Sequence, residues 1–188
     1  MAVKGKRRGR PVSSQPGLSA ERIIEQAHQL LLSEARVPSL RSLAAQLQVD
    51  VMALYHYFPN KAALLEALCC TLVSGVYQPE AGQDWRQELT RLSRSYLQLL
   101  ADHSGLLQTL LSMTSAGPAQ VFGERFEQAL APLALDSEQR QQALCLLVDY
   151  LHGFALALHA APGALSLEDL DGPLGFYLDG LALRRAPS

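Results

Sequence analysis

Apolar residues recur at helical spacing through most of the chain, and the pattern predicts a succession of helices broken by short polar or proline-containing joints. Ile23, Ile24, Ala27, Leu30 and Leu31 form one apolar stripe over residues 18–32. Ser19 is placed to cap that helix, Leu18 and Ile23 have the spacing of a hydrophobic staple, and Glu21 lies in the first turn, where the helix dipole favours an acid. Val37-Pro38 ends the pattern and Ser39 caps a second helix, whose Leu40, Leu43, Ala44 and Leu47 turn inward. Residues 48–50 read as a turn, with Asp50 capping a third helix over 51–58. Pro59-Asn60 ends it before a fourth begins near Lys61. A helix of about two turns is unstable alone. It must be held by Leu43, Leu47, Leu54 and Phe58, which leaves Val51, Met52, Ala53, Tyr55, His56 and Tyr57 on a free face.

From residue 69 to 82 the pattern fades through Ser74-Gly75 and Gln78-Pro79, a natural hinge most of which the fourth helix crosses. A long amphipathic helix follows over 84–102, with Trp85, Leu89, Leu92, Tyr96, Leu99 and Leu100 inward and Arg86, Arg91 and Arg94 as a solvated face. Further helices are expected over 106–113, 118–133 and 136–161, and a last one over 166–185 interrupted near Gly172-Pro173.

Leucine and alanine dominate and β-branched residues are sparse, which supports an all-α fold for the 188 residues. The net charge of −2 conceals an asymmetry. Residues 1–70 carry nine basic and five acidic side chains, the remainder seven and thirteen, so a polyanion is expected to meet only the front of the molecule. Residues 1–17, rich in Lys, Arg, Gly, Pro and Ser, read as a disordered basic arm. Its Arg8-Gly9-Arg10-Pro11 core resembles the AT-hook type of minor-groove motif, with Arg8 and Arg10 as the inserted side chains; a solubilising tail is the alternative. Cys69, Cys70 and Cys145 have no metal-ligand spacing and fit free thiols in a reducing cytosol. The basic N-terminus lacks the apolar stretch of a secretory signal. The apolar segment 143–161 is broken by Asp149 and His152, which favours a core helix over a membrane span.

Residues 18–68 resemble the DNA-binding region of the TetR family of bacterial transcriptional regulators. The residues that carry the likeness are Ser39-Leu40-Arg41-Ser42-Leu43-Ala44 and the run from Leu54 through Tyr55, His56, Tyr57, Phe58, Pro59, Asn60 and Lys61 to Leu65. The resemblance implies an N-terminal helix-turn-helix domain over 18–76 and a helical-bundle ligand-binding and dimerisation domain over 77–188. It implies phosphate or groove-edge contacts from Ser39 and Arg41, approach to base edges by Val51, Met52 and Ala53, a division of Tyr55, His56 and Tyr57 between phosphate and base, and a phosphate contact from Lys61. Gln48 stands where the family commonly has glycine, so a residue with a side chain must adopt the turn geometry.

The second half offers no nucleophile–base pair, P-loop, GxSxG or HExxH motif, so no enzyme, metal or cofactor is expected. Asp149 and His152 are two potential ligands on an apolar helix and do not complete a metal site. Tyr96, Met113, Phe122, Phe126, Cys145, Asp149 and His152 are candidates to line an apolar cavity, and the resemblance implies a small-molecule effector there. Leu144, Leu147, Val148, Leu151 and Ala155, with Leu174, Tyr177, Leu178 and Leu181, are candidates for a four-helix interface with a second copy; burial within the monomer is the alternative. The reading is a cytoplasmic, nucleoid-associated repressor that binds a palindromic operator as a homodimer and is released by an effector. A helical ligand-binding or sensor protein without DNA function is the alternative.

Overall fold

Each helix of the first half begins where a short polar side chain satisfies its free N–H groups. In a computed structural model that describes residues 17–34, 37–113 and 115–184, α1 spans Ala20–Glu34 and Ser19 Oγ accepts from the Arg22 amide at 3.2 Å. α2 spans Leu40–Leu47, with Ser39 Oγ accepting from the Ser42 amide at 3.0 Å. α3, Val51–Tyr55, starts at Asp50, whose carboxylate accepts from the Met52 amide at 2.7 Å. α4, Lys61–Ser74, starts at Asn60, whose side-chain oxygen accepts from the Ala63 amide at 2.8 Å. Each such cap is worth about 1 kcal/mol. The three residues between α2 and α3 turn through Gln48, which sits in the left-handed region at φ 56°. There the Gln48 and Val49 amides close on the last carbonyls of α2 at 3.1 and 3.0 Å.

α3 is shorter than the expected 51–58. Beyond Tyr55 the chain closes with Tyr57 and Phe58 amides both donating to the Leu54 carbonyl, at 3.0 and 2.9 Å. The clash of Pro59 with an α-conformation at Phe58 accounts for the early stop. α4 runs unbroken through residues 69–74, so the fourth helix enters the hinge region as expected and ends at Ser74. Ser74 faces out and Val73 faces in, so the helix simply loses its amphipathic regularity without losing its backbone bonds.

The second half comprises α5 (Trp85–Asp102), α6 (Ser104–Ser112), α7 (Gly117–Leu130), α8 (Ser137–Ala160) and α9 (Asp171–Ala182), with 3-10 turns at Ala131–Leu133 and Leu167–Leu170. Gly172 and Pro173 do not interrupt the last helix. They lie in its first turn, where a missing N–H costs nothing. α4 lies along α7, and α5 packs between α7 and α8. Leu64, Leu68, Leu72, Leu92, Leu100, Phe126 and Leu151 belong to one continuous core.

Two of the joints are held by charge. The nearly buried Arg125 of α7 donates to the Val73, Ser74 and Val76 carbonyls, closing off the C-terminus of α4. The buried Glu88 carboxylate of α5 accepts from the Glu80 amide at 2.7 Å and from the Tyr77 hydroxyl at 2.9 Å, which clamps the linker between α4 and α5. The expected solvated arginines of α5 are also engaged. Arg86 pairs with Asp179 at 2.9 Å, Arg91 with Glu88 at 3.1 Å, and Arg94 with Asp171, so two of them tie α5 to α9. Such exposed pairs contribute at most about 1 kcal/mol each, so their effect is on registry more than stability.

Candidate nucleic-acid interface and ligand cavity

α3 is five residues long and only Leu54 is buried in it, beside Leu43 and Leu47 of α2 in the core. The rest of the helix is therefore presented rather than packed. Met52 is 65% exposed, Tyr55 and His56 are exposed, and Val51 and Ala53 are half-covered at the edges. Ser39, Arg41 and Lys61 are exposed on either side, at the starts of α2 and α4. Among the described residues neither Arg41 nor Lys61 has an acidic partner within ion-pair distance. Free cations flank a protruding helix, and the N-terminal amides of α2 and α4 add positive potential.

Tyr57 stands apart from its neighbours. Its hydroxyl donates to the Leu18 carbonyl at 2.6 Å, fastening the entry of α1 to the end of α3. The hydroxyl proton of Tyr57 is thus engaged within the protein, while its side chain stays 42% exposed beside α3. Arg8 and Arg10 lie outside the described residues.

In the second half, a cavity of about 270 Å³ opens between α5, α6, α7 and α8. Six of the seven expected lining residues border it: Tyr96, Met113, Phe122, Cys145, Asp149 and His152. Phe126 does not. It is fully buried one turn beyond Phe122, on the face of α7 that meets the core. The wall is completed by Leu110, Ser115, Pro118, Ala119, Gln141, Leu144 and Val148, which the sequence reading missed. The signal was present in α8, where 141, 145, 148 and 152 share a face, but Leu144 and Val148 had been taken as interface positions.

One end of the cavity is built by aromatic rings and a polar pair. Tyr96 and Phe122 have ring centroids 4.6 Å apart, and the Tyr96 hydroxyl meets His152 Nε2 at 2.8 Å. Burial raises the Tyr96 phenol above the usual range and lowers the His152 imidazole, an effect that Asp149 partly opposes. Both shifts favour the neutral forms near pH 7, and the two groups are joined by that hydrogen bond. No group of three or more His, Cys, Asp or Glu side chains suited to a metal ion occurs among the described residues. His103 Nδ1 and His159 Nε2 meet the Leu99 and Leu100 carbonyls, each at 2.9 Å, at the end of α5.

The expected interface residues require correction. Leu147, Leu151, Ala155, Leu174, Leu178 and Leu181 are buried inside the protomer, where they form its own core. Tyr177 donates its hydroxyl to the Ala143 carbonyl at 2.7 Å, and Leu144 and Val148 line the cavity. α8 instead leaves Leu146 and Leu156 uncovered, and α9 leaves Phe176, with Leu183 just beyond its end; Phe176 is 82% and Leu183 87% exposed. α8 is long and apolar enough to cross a membrane by length and composition, with 28% of its most apolar window buried. Its apolar residues are divided between the core, the cavity wall and solvent.

Comparison with known proteins agrees with this geometry. The family model described as bacterial regulatory proteins, tetR family, matches residues 35–68, and that described as tetracyclin repressor-like, C-terminal domain, matches residues 78–168. The HTH-type transcriptional repressor DrrR1 of Streptomyces coeruleorubidus is 30% identical over 144 residues, covering 74% of this chain and 53% of that repressor. The chain thus spans about half the length of this curated relative. Among solved structures, BioQ with its double-stranded DNA operator superposes with a TM-score of 0.73 at 21% identity, covering 89% of this chain and 99% of BioQ. A TetR variant from Acinetobacter baumannii AYE in complex with minocycline superposes at 0.70 with 25% identity, covering 90% and 100%. Two family models, placed end to end over the helix-turn-helix and the bundle behind it, assign the chain to the TetR family of bacterial regulatory proteins.

Proposed function

We propose that this protein is a cytoplasmic transcriptional repressor that binds a palindromic operator as a two-fold dimer, associates with the nucleoid when bound, and is released by a small effector. Residues 18–76 form the DNA-reading unit and 77–188 the effector-binding and dimerisation unit. The observation that carries this reading is α3, whose one buried residue is Leu54 and which projects Met52, Tyr55 and His56 between unpaired cations. Ser39, Arg41, Tyr55 and Lys61 position the unit on phosphate. Val51, Met52 and Ala53 with His56 meet base edges in the major groove, where apolar side chains recognise thymine methyls and the imidazole can bond to a base edge. The named activity of DrrR1 and the operator bound to BioQ support the same assignment.

A palindrome needs two heads at a defined separation. The uncovered Leu146 and Leu156 of α8, with Phe176 of α9 and Leu183 just beyond it, supply the apolar face that a second copy would bury. Gly153 and Gly180, exposed on the same helices, permit close approach. The effector acts by favouring a body conformation whose head separation no longer matches the operator. A tenfold loss of affinity requires only about 1.4 kcal/mol of differential binding.

The test is a gel-shift titration on the DNA upstream of the protein's own coding region, over a range of salt. Saturable binding at low salt is expected, and Lys61→Ala should weaken it for every sequence while lowering the salt slope by roughly one per head. No detectable binding at low salt, with the helical circular dichroism intact, would overturn the regulator reading.

A further inference from the structure

The charge on the cavity wall is unbalanced. Asp149 stands at its rim, exposed, and among the described residues no lysine or arginine side chain lines the cavity. Among the described residues Asp149 takes part in no ion pair with Lys or Arg. The other polar groups of the deep end are spent on each other, since Tyr96 and His152 form their own hydrogen bond at 2.8 Å. An anionic ligand would meet an uncompensated carboxylate with nothing to offset it. A cation would gain the carboxylate, and its apolar body would meet the aromatic end of the cavity at Tyr96 and Phe122.

We infer that the cavity takes a planar aromatic molecule bearing a positive charge, with its rings among Tyr96, Phe122 and Met113 and its cationic group at the mouth beside Asp149. The inference rests on the reading of this cavity as the effector site and narrows it to a ligand class. A cavity of about 270 Å³ suits a fused system of about three rings. The acidic balance of residues 71–188 draws cations toward the same region before contact.

The experiment compares three fused tricyclic probes of similar size on the full chain without DNA: proflavine as the cation, 9-anthracenemethanol as the neutral probe and 9-anthracenecarboxylate as the anion. Fluorescence titration should show proflavine bound about tenfold more tightly than the carboxylate, in line with one unpaired carboxylate at the mouth. Asp149→Asn should remove most of that preference and leave the alcohol unchanged. Ala119→Phe, which fills the cavity from α7, should abolish binding of all three. The inference fails if proflavine does not bind, if the anion binds as tightly, if Asp149→Asn preserves the ratio, or if Ala119→Phe leaves proflavine bound. Operator binding measured on the same preparations separates the two readings. A protein that binds the operator without cation preference has a different ligand class, and one with cation preference but no operator binding is a sensor without DNA function.

Discussion

Gln48 shows how one side chain departs from the most comfortable choice. A non-glycine residue at φ 56° carries local strain, partly balanced by the extra freedom glycine would have in the unfolded chain. Gln48→Gly should therefore stabilise the protein by about 0.5 kcal/mol, raising Tm by roughly 1–2 °C in thermal unfolding. The two tyrosines near α3 should separate in the opposite way. Tyr57→Phe removes the bond to the Leu18 carbonyl and should cost about 1 kcal/mol in urea unfolding. Tyr55→Phe should leave stability unchanged and weaken operator binding, since its side chain is exposed with no internal hydrogen bond among the described residues. A third residue-scale effect is pH dependence. His28 Nε2 lies 2.9 Å from His103 Nε2, and burial together with that neighbour lowers the His28 imidazole below its ordinary 6.5, against a smaller opposing effect of Glu25. Burial lowers His152 likewise. A base with a lowered folded pKa binds fewer protons in the native state, so its contribution is fully present above 6.5 and lost as pH falls below it. Unfolding free energy should fall between pH 7.5 and 5.5 by more than in His28→Gln, as measured by denaturant titration at each pH.

At the scale of elements, α7 is the part that joins the two halves. Its Arg125 reaches back to the end of α4, and its first residue, Gly117, meets α4 so closely that a Cβ there would lie 2.9 Å from both Cys70 Sγ and Glu66 Oε1. The same helix supplies Pro118, Ala119 and Phe122 to the cavity wall. α7 therefore touches the ligand cavity on one side and the Lys61-bearing helix on the other. Arg125→Met leaves three backbone carbonyls without their donor and should destabilise the fold by about 2–4 kcal/mol in urea unfolding. None of this was legible beforehand, because Arg125 sits 49–52 residues from its partners and resembles any surface arginine in sequence. The caps of α1 to α4 were legible because each depends on residues at most three positions apart.

The whole molecule decides which apolar surfaces remain for a partner. Converting both Leu146 and Phe176 to Glu should yield monomers in sedimentation and abolish operator binding while the helical content persists, because both side chains are exposed in the protomer. Leu147→Ala, by contrast, should cost about 2–5 kcal/mol of stability through an internal cavity. A monomeric fold that loses its helicity in the double variant would place these residues in the core instead.

The helices, their caps, the exposed reading face and the family resemblance were determined by the sequence itself, since all depend on near neighbours and on a helical period that any amphipathic stretch reveals. The short length of α3 was within reach too, in the restriction that Pro59 imposes on Phe58. Tertiary structure alone decided which side of α8 meets the core, the cavity or solvent. An apolar residue reads the same in all three settings, and only the neighbouring helices distinguish Leu147 in the core, Leu144 on the cavity wall and Leu146 in the open. For the same reason Phe122 lines the cavity while Phe126, one turn away, does not.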